Sequence, residues 1–160
     1  MHEIGLWEKI MDYLVRETRK KAGRNEMPSY SLIDSQSTKT MSSADERGID
    51  GGKKVKGRKR RIVTDTMGNL LKIKVHGANI HDTKSGGDVF LGAVEKYSTI
   101  EGCCADEGYR KTFENFVISL GKTIEISEKI KPKGWAVIAQ RWVVERTFTW
   151  AGNSRRLSKD

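Results

Sequence analysis

Apolar residues recur at helical spacing over residues 6–22, where Leu6, Trp7, Ile10, Met11, Leu14 and Val15 form one stripe. Arg19, Lys20 and Lys21 follow, cations suited to the negative end of a helix dipole, and Gly23 and Pro28 end the segment. Ser31–Ser35 reads as a short strand with Leu32 and Ile33 at its centre and Asp34 at its end. Residues 35–52, rich in Ser, Thr and Gly, predict a loop. A basic run from Lys53 to Arg61 leads into two β-rich stretches, 62–65 and 70–75, around a turn at 66–69, which together predict a hairpin. Alternation within it predicts Leu71, Ile73 and Val75 on one face, with Lys72 and Lys74 on a solvated or polyanion-facing side.

Beyond residue 82 a helix is expected with Val89, Phe90, Ala93, Val94 and Tyr97 inward. Ser98–Ala105 reads as a strand ending at Asp106, 110–120 as a helix stopped by Gly121, and 122–128 as another strand. Lys131–Gly134 predicts a turn, and 135–157 one long terminal helix. The order predicts a mixed α/β sheet, antiparallel at its start and parallel afterwards.

The 160 residues suffice for one domain with a core, or one domain and a short arm. A formal charge of +9 with 32% charged residues favours a polyanionic partner, nucleic acid being the commonest, although a merely soluble basic protein has the same composition. Cys103 and Cys104 are adjacent and the only cysteines, which excludes a disulfide framework and makes a poor start to a metal site. They fit buried small residues on a strand. No basic-then-apolar leader and no run of about 18 apolar residues is seen, so a cytoplasmic protein without membrane contact is expected.

Three acids stand where chemistry would use them. Asp34 and Asp106 end strands, and ligands of α/β sheets gather at strand carboxyl ends. Glu145 lies in the terminal helix, on a stripe with Arg141, Thr149, Gly152, Arg156 and Lys159. Oxygen donors of this kind suit Mg²⁺ or Mn²⁺ rather than Zn²⁺, and a pair of ions could drive an in-line phosphoryl displacement. The ordinary alternatives are surface charges, caps and an Arg141–Glu145 ion pair at i, i+4.

Three ordered blocks carry a family resemblance: Leu32-Ile33-Asp34-Ser35-Gln36-Ser37, Asp50-Gly51-Gly52-Lys53-Lys54-Val55-Lys56-Gly57-Arg58-Lys59-Arg60, and Arg141-Trp142-Val143-Val144-Glu145-Arg146-Thr147-Phe148. From about Arg24 onward the chain resembles the DDE transposases of bacterial insertion sequences, within the IS-four/IS-five superfamily. That resemblance implies a ribonuclease-H-like α/β fold, a mixed sheet flanked by helices. It divides the chain into an N-terminal helical arm, 1–24, and a catalytic domain, 25–160. It also implies that Asp34, Asp106 (in Ala105-Asp106-Glu107-Gly108-Tyr109) and Glu145 are catalytic and hold two Mg²⁺, Mn²⁺ being possible. The reaction implied is cleavage of double-stranded DNA at the element's ends and strand transfer into target DNA, with a homodimer in the active complex.

DNA contacts are expected from Lys53, Lys54, Lys56, Arg58, Lys59, Arg60 and Arg61, and from Arg141, Arg156 and Lys159; a solvated loop is the plainer reading of the run 53–61. The family signature Tyr-x2-Arg-x3-Glu-x6-Lys is kept only at its Arg141–Glu145 centre. Ile138 stands at the Tyr position and Gly152 at the Lys position, with Arg156 or Lys159 as substitutes on the same face. Related chains extend further at both ends, so a truncated element is expected. An inactive remnant that binds DNA, or interferes with a full-length enzyme, is the alternative function. His76 and His81 are read as structural or solvated rather than as ligands, and Trp135, Trp142 and Trp150 as core aromatics, base stacking being the other use of such rings.

Overall fold

The computed structural model describes residues 2–40, 47–80, 82–127 and 140–158. Helix α1 (His2–Lys21) is followed by strands β1 (Tyr30–Lys39), β2 (Gly48–Asp50), β3 (Val55–Asp65) and β4 (Leu70–Gly77). Then come α2 (Asp82–Lys96), β5 (Gly102–Asp106), a 3-10 turn Glu107–Tyr109, α3 (Thr112–Ser119), β6 (Thr123–Ser127), α4 (Arg141–Asn153) and α5 (Arg155–Ser158).

These strands form one mixed sheet in the order β2-β3-β1-β5-β6, with β4 beside β3. The pairs β1–β3, β2–β3 and β3–β4 are antiparallel, whereas β1–β5 and β5–β6 are parallel, as the order of elements predicts. The hairpin turn is built around Asp65: Gly68 N–H donates to its carbonyl, and Gly68 takes φ +88, a conformation glycine adopts without a Cβ clash.

Strand alternation assigns residues to two layers. One face carries Ile33, Val63, Leu71, Cys103 and Ala105, packed on Val89, Phe90 and Ala93 of α2, on Tyr97 just past that helix, and on Phe113 and Val117 of α3. The other carries Leu32, Ile62 and Cys104 under Val143, Val144 and Phe148 of α4. Both cysteines are buried and free on β5.

Several expectations give way. The stretch predicted as a loop from residue 35 continues β1 to Lys39, because register pairing with β3 runs through Lys39↔Gly57. The basic run is strand from Val55 onward, held between β1 and β4. Strand β5 begins at Gly102 rather than Ser98, and Tyr97–Ile100 close a turn instead. Leu71 does not share a face with Ile73 and Val75. The register slips between Val63 and Thr64, and such a bulge reverses side-chain parity. Leu71 therefore joins the α2 layer, while Ile73 and Val75 lie 44% and 43% exposed toward the α4 side.

Helix α1 docks by one edge of its apolar stripe rather than by its centre. Val15 is buried, but Leu6, Trp7, Ile10 and Leu14 are exposed. Polar ties choose the face: Arg19 Nη1 lies 2.7 Å from Asp65 Oδ2 in a buried pair, and Glu8 meets Lys72 at 3.0 Å. The terminal helix is shorter than predicted, broken at Ser154 between α4 and α5. The turn 131–134, residues 135–139 with Trp135 and Ile138, and His81 and Lys159 lie outside the described residues.

Candidate active site

Leu32 pairs in parallel register with Cys104. Two residues further along each strand, with the same side-chain parity, stand Asp34 and Asp106. Both carboxylates thus leave the sheet on the α4 side, Asp106 at the carboxyl end of β5 but Asp34 midway along β1. Asp34 stands two residues past the last β1 residue paired with β5 and not at the strand end that the sequence predicts, because pairing with β3 carries β1 on to Lys39. Helix α4 is fixed over this edge by Val143, Val144 and Phe148, which seats Arg141 and Glu145 across from the aspartates. The result is an open cleft of about 320 Å³ lined by Asp34, Gln36, Lys53, Asp106, Arg141 and Glu145, among others.

Asp34 is half-buried, and its Oδ1 accepts from the Ser35 backbone N–H at 2.7 Å. Burial raises its pKa to about 6; the Ser35 hydrogen bond opposes this, the charge of Asp106 adds to it, and Arg141 and Lys53 oppose it. Asp106 caps the 3-10 turn, accepting from Gly108 N–H at 3.0 Å. Arg141 Nη2 stands 3.9 Å from Asp106 Oδ2 and 3.7 Å from Glu145 Oε1, so one guanidinium faces two of the three acids. Glu145 itself sits on the rim, its side chain 58% exposed.

The donor set is all carboxylate, the chemistry of a hard divalent cation. The two aspartates fit such an ion: they are neighbours on one face, and the charge of one works against ionisation of the other. Among the described residues, no three His, Cys, Asp or Glu side chains form a ready-made metal cluster. Glu145 is turned to Arg141 and solvent.

The basic run is divided by strand parity. Lys53, Lys54 and Lys56 are exposed around the β2–β3 turn, and Lys53 lines the cleft. Arg58 and Arg60 face the α4 side, beside an apolar groove between β3, β4 and α4; Arg60 donates to Gln36 Oε1 at 2.8 Å and also to the Leu157 carbonyl. Lys59 and Arg61 are buried on the opposite face. Lys59 Nζ is 3.3 Å from Asp50 Oδ2, and the Arg61 guanidinium lies 5.4 Å from the Tyr109 ring centroid. Neither presents its charge to a surface ligand. Arg156 is in α5, past the break in the terminal helix. A methyl group placed on Gly152 would meet nothing within 4 Å, so the signature's Lys place is open to solvent.

His76 is a structural residue on the far face. Its Nδ1 is 2.8 Å from the Gly77 carbonyl and its Nε2 3.0 Å from Ser85 Oγ, and burial lowers its pKa. Trp142 and Trp150 are not core aromatics but 47% and 54% exposed. Sequence reasoning missed that they bracket Arg146, although spacing of four and eight residues from Trp142 carries that signal.

A family model described as a transposase DDE domain matches residues 25–160. Solved structures that resemble the chain include the catalytic core domain of BIV integrase, at 14% identity and TM-score 0.47, covering 78% of this chain and 67% of that one. A chain of the simian T-cell lymphotropic virus intasome in complex with PP2A regulatory subunit B56 gamma matches at 14% identity and TM-score 0.53, over 79% of this chain and 40% of that one. The piggyBac transposase synaptic complex with hairpin DNA matches at 12% identity and TM-score 0.42, over 81% and 26%. The chain therefore spans well under two thirds of the last two. No curated protein matches it. The sheet order and the intasome likeness make the fold ribonuclease-H-like. No helix among the described residues is long and apolar enough to cross a membrane.

Proposed function

Since the chain belongs to the transposase DDE domain family, enzymes of DNA transposition and recombination, we propose that Asp34, Asp106 and Glu145 form a divalent-metal site for DNA strand cleavage and strand transfer. The observation that carries this reading is the convergence of all three acids, with Arg141, on one open cleft where the carboxyl end of β5 meets the middle of β1. Two Mg²⁺ ions, or Mn²⁺, would supply activation of the attacking oxygen and neutralisation of the leaving one.

The chain's own residues do the rest. Asp34 and Asp106 offer fixed oxygens, because both sit on strands and each accepts a backbone N–H that holds its rotamer. Glu145 completes the set from α4 by giving up Arg141, a loose pair 3.7 Å apart in which only the Glu145 side chain is well exposed. Arg141, released, and Lys53 on the opposite wall then face the phosphates of double-stranded DNA, at element ends and target alike. Lys54 and Lys56 extend this basic rim. A homodimer in the active complex follows from the need to bring two ends together.

The test is divalent-dependent nicking and joining of element-end duplex by the parent and by Asp34→Ala, Asp106→Ala and Glu145→Ala. Each variant should lose both activities while binding DNA in EDTA within a few-fold of the parent. A variant that nicks like the parent removes that residue from the site. A second reading, DNA binding without catalysis, is favoured by the open place at Gly152 where the signature carries a cation. It predicts binding with no joined product from the parent.

A further inference from the structure

Gln36 follows Asp34 by two residues on β1, so the two side chains leave the same face of the sheet. Both line the cleft, together with Lys53, Asp106, Arg141 and Glu145. In the register of β1 with β3, the residue across from Gln36 is Arg60. Arg60 Nη2 donates to Gln36 Oε1 at 2.8 Å, and the same guanidinium donates to the Leu157 carbonyl of α5.

This contact decides which way the amide faces. A guanidinium carries five N–H donors and no acceptor, so only the amide oxygen can meet it. The NH₂ group is therefore turned away from Arg60. Among the described residues it donates to nothing, and it is not sealed from solvent. Gln36 is thus a half-buried side chain on the cleft wall whose acceptor is fixed and whose two donors are open. Such a group is a preorganised hydrogen-bond donor, needing no rearrangement when a ligand arrives.

Its neutrality sets it apart from the other donors of the cleft. The charges of Arg141 and Lys53 both act on the Asp34 carboxylate. A cation beside Asp34 competes with a metal ion for the carboxylate oxygens, whereas an amide can donate to a ligand without that competition. The ligand that suits it is an anionic oxygen held next to Asp34.

We propose that Gln36 is a catalytic residue whose Nε2 donates to a non-bridging oxygen of the scissile phosphate, with Arg60 as the positioning residue that fixes the amide. The proposal rests on the DNA-processing reading of the cleft and adds one substrate contact to it. Gln36 transfers no proton; it stabilises charge on an equatorial oxygen of the phosphate as the displacement proceeds. Because the contact is to the backbone, it carries no sequence preference.

The full chain is assayed for single-turnover nicking of element-end duplex in Mg²⁺ as the parent, Gln36→Met and Gln36→Glu. Both variants should nick about 100-fold more slowly than the parent. Gln36→Met should still bind the duplex in EDTA within about two-fold of the parent, since one contact among many is lost. Gln36→Glu keeps an acceptor for Arg60 and should melt no lower than the parent, so its slow nicking separates the lost donor from a lost fold. A duplex carrying a methylphosphonate at the scissile position locates the contact. In one of its two diastereomers the parent and Gln36→Met should nick at rates within about three-fold, because the oxygen that Gln36 reaches is gone. Gln36→Glu nicking like the parent, or a Gln36→Met deficit that persists in both diastereomers, overturns the proposal and leaves the three acids in place. A parent without divalent-dependent nicking overturns the metal-site reading and this proposal with it.

Discussion

Replacing Asp65 with Asn should unfold this protein far more easily than any surface charge change. The Asp65 side chain has no solvent exposure, and Arg19, 6% exposed, meets it at 2.7 Å. The same carboxylate accepts from Met67 N–H, Asn69 N–H and Asn69 Nδ2, each at 2.9 Å. The substituted amide would aim an NH₂ group at donors and leave the Arg19 cation buried without its counter-charge. Breaking a buried pair from one side costs about 3–5 kcal/mol. For a chain of this size, with total stability on the order of 8–24 kcal/mol, that is a large share. Melting should fall by roughly 6–20 °C. Chemical denaturation of Asp65→Asn, Arg19→Met and the double variant gives the coupling directly. The double variant should cost less than the sum of the singles, because it leaves no orphaned charge. A loss under about 1 kcal/mol for Asp65→Asn, or strict additivity, refutes the reasoning. The effect should also reach the site. Asp65 organises the turn whose Met67 and Gly68 carbonyls receive Arg146 and Thr147 of α4, the helix that carries Glu145.

Three further outcomes can be checked. Burial pushes the Asp50 carboxyl up, but the Ser37 hydroxyl, the Lys53 and Gly52 backbone N–H groups and the Lys59 ammonium outweigh it and hold the pKa at about 2. Its contribution, at most about 2–3 kcal/mol, is present above pH ~4 and lost as pH falls through ~2, so Asp50→Asn should flatten acid denaturation in that window. Gly57→Ala would drive a methyl into the Thr38 backbone carbonyl and force β1 from β3, costing about 1–3 kcal/mol in denaturant titration, whereas Gly152→Ala should cost nothing. Burial pushes the Cys103 thiol up to about 12 and raises that of Cys104, so a thiol reagent should label the native protein far more slowly than the urea-unfolded chain; equal rates would contradict the packing of β5.

Much of the site was legible in the residues alone. The acids after the apolar runs of Leu32-Ile33-Asp34 and Cys104-Ala105-Asp106 were legible as strand residues, although only Asp106 ends its strand and β1 runs on past Asp34 to Lys39, and Arg141–Glu145 spacing marks one helix face. The packed stripe of α2 was equally plain, because Val89, Phe90, Ala93 and Tyr97 recur at a period only a helix satisfies. Where periodicity was applied through an irregularity it failed. The bulge opposite Val63 and Thr64 reversed the facing of Leu71 relative to Ile73 and Val75, and nothing local announces a bulge. Trp142 and Trp150 were assigned to the core on hydrophobicity alone, which says that a ring wants cover but not which side of a helix meets the sheet.

The sequence by itself determined what is written in local period and chemistry: most of the elements, the two aspartates on strands, the excess of positive charge. Only the tertiary structure decided what depends on partners far apart in the chain. Strand β3 pairs on both edges, and so the basic run was split, with Lys59 and Arg61 turned inward and Lys53, Lys54 and Lys56 left at the rim. Helix α1 docked by Val15 and Arg19 because Asp65, 46 residues away, supplied a buried counter-charge that outweighed its apolar stripe. The cleft itself exists because β1 and β5 lie side by side under α4, the Ser31 hydroxyl reaching the Gly102 carbonyl 71 residues further along the chain. Sequence spacing carries short-range geometry; burial and charge pairing are properties of the assembled fold.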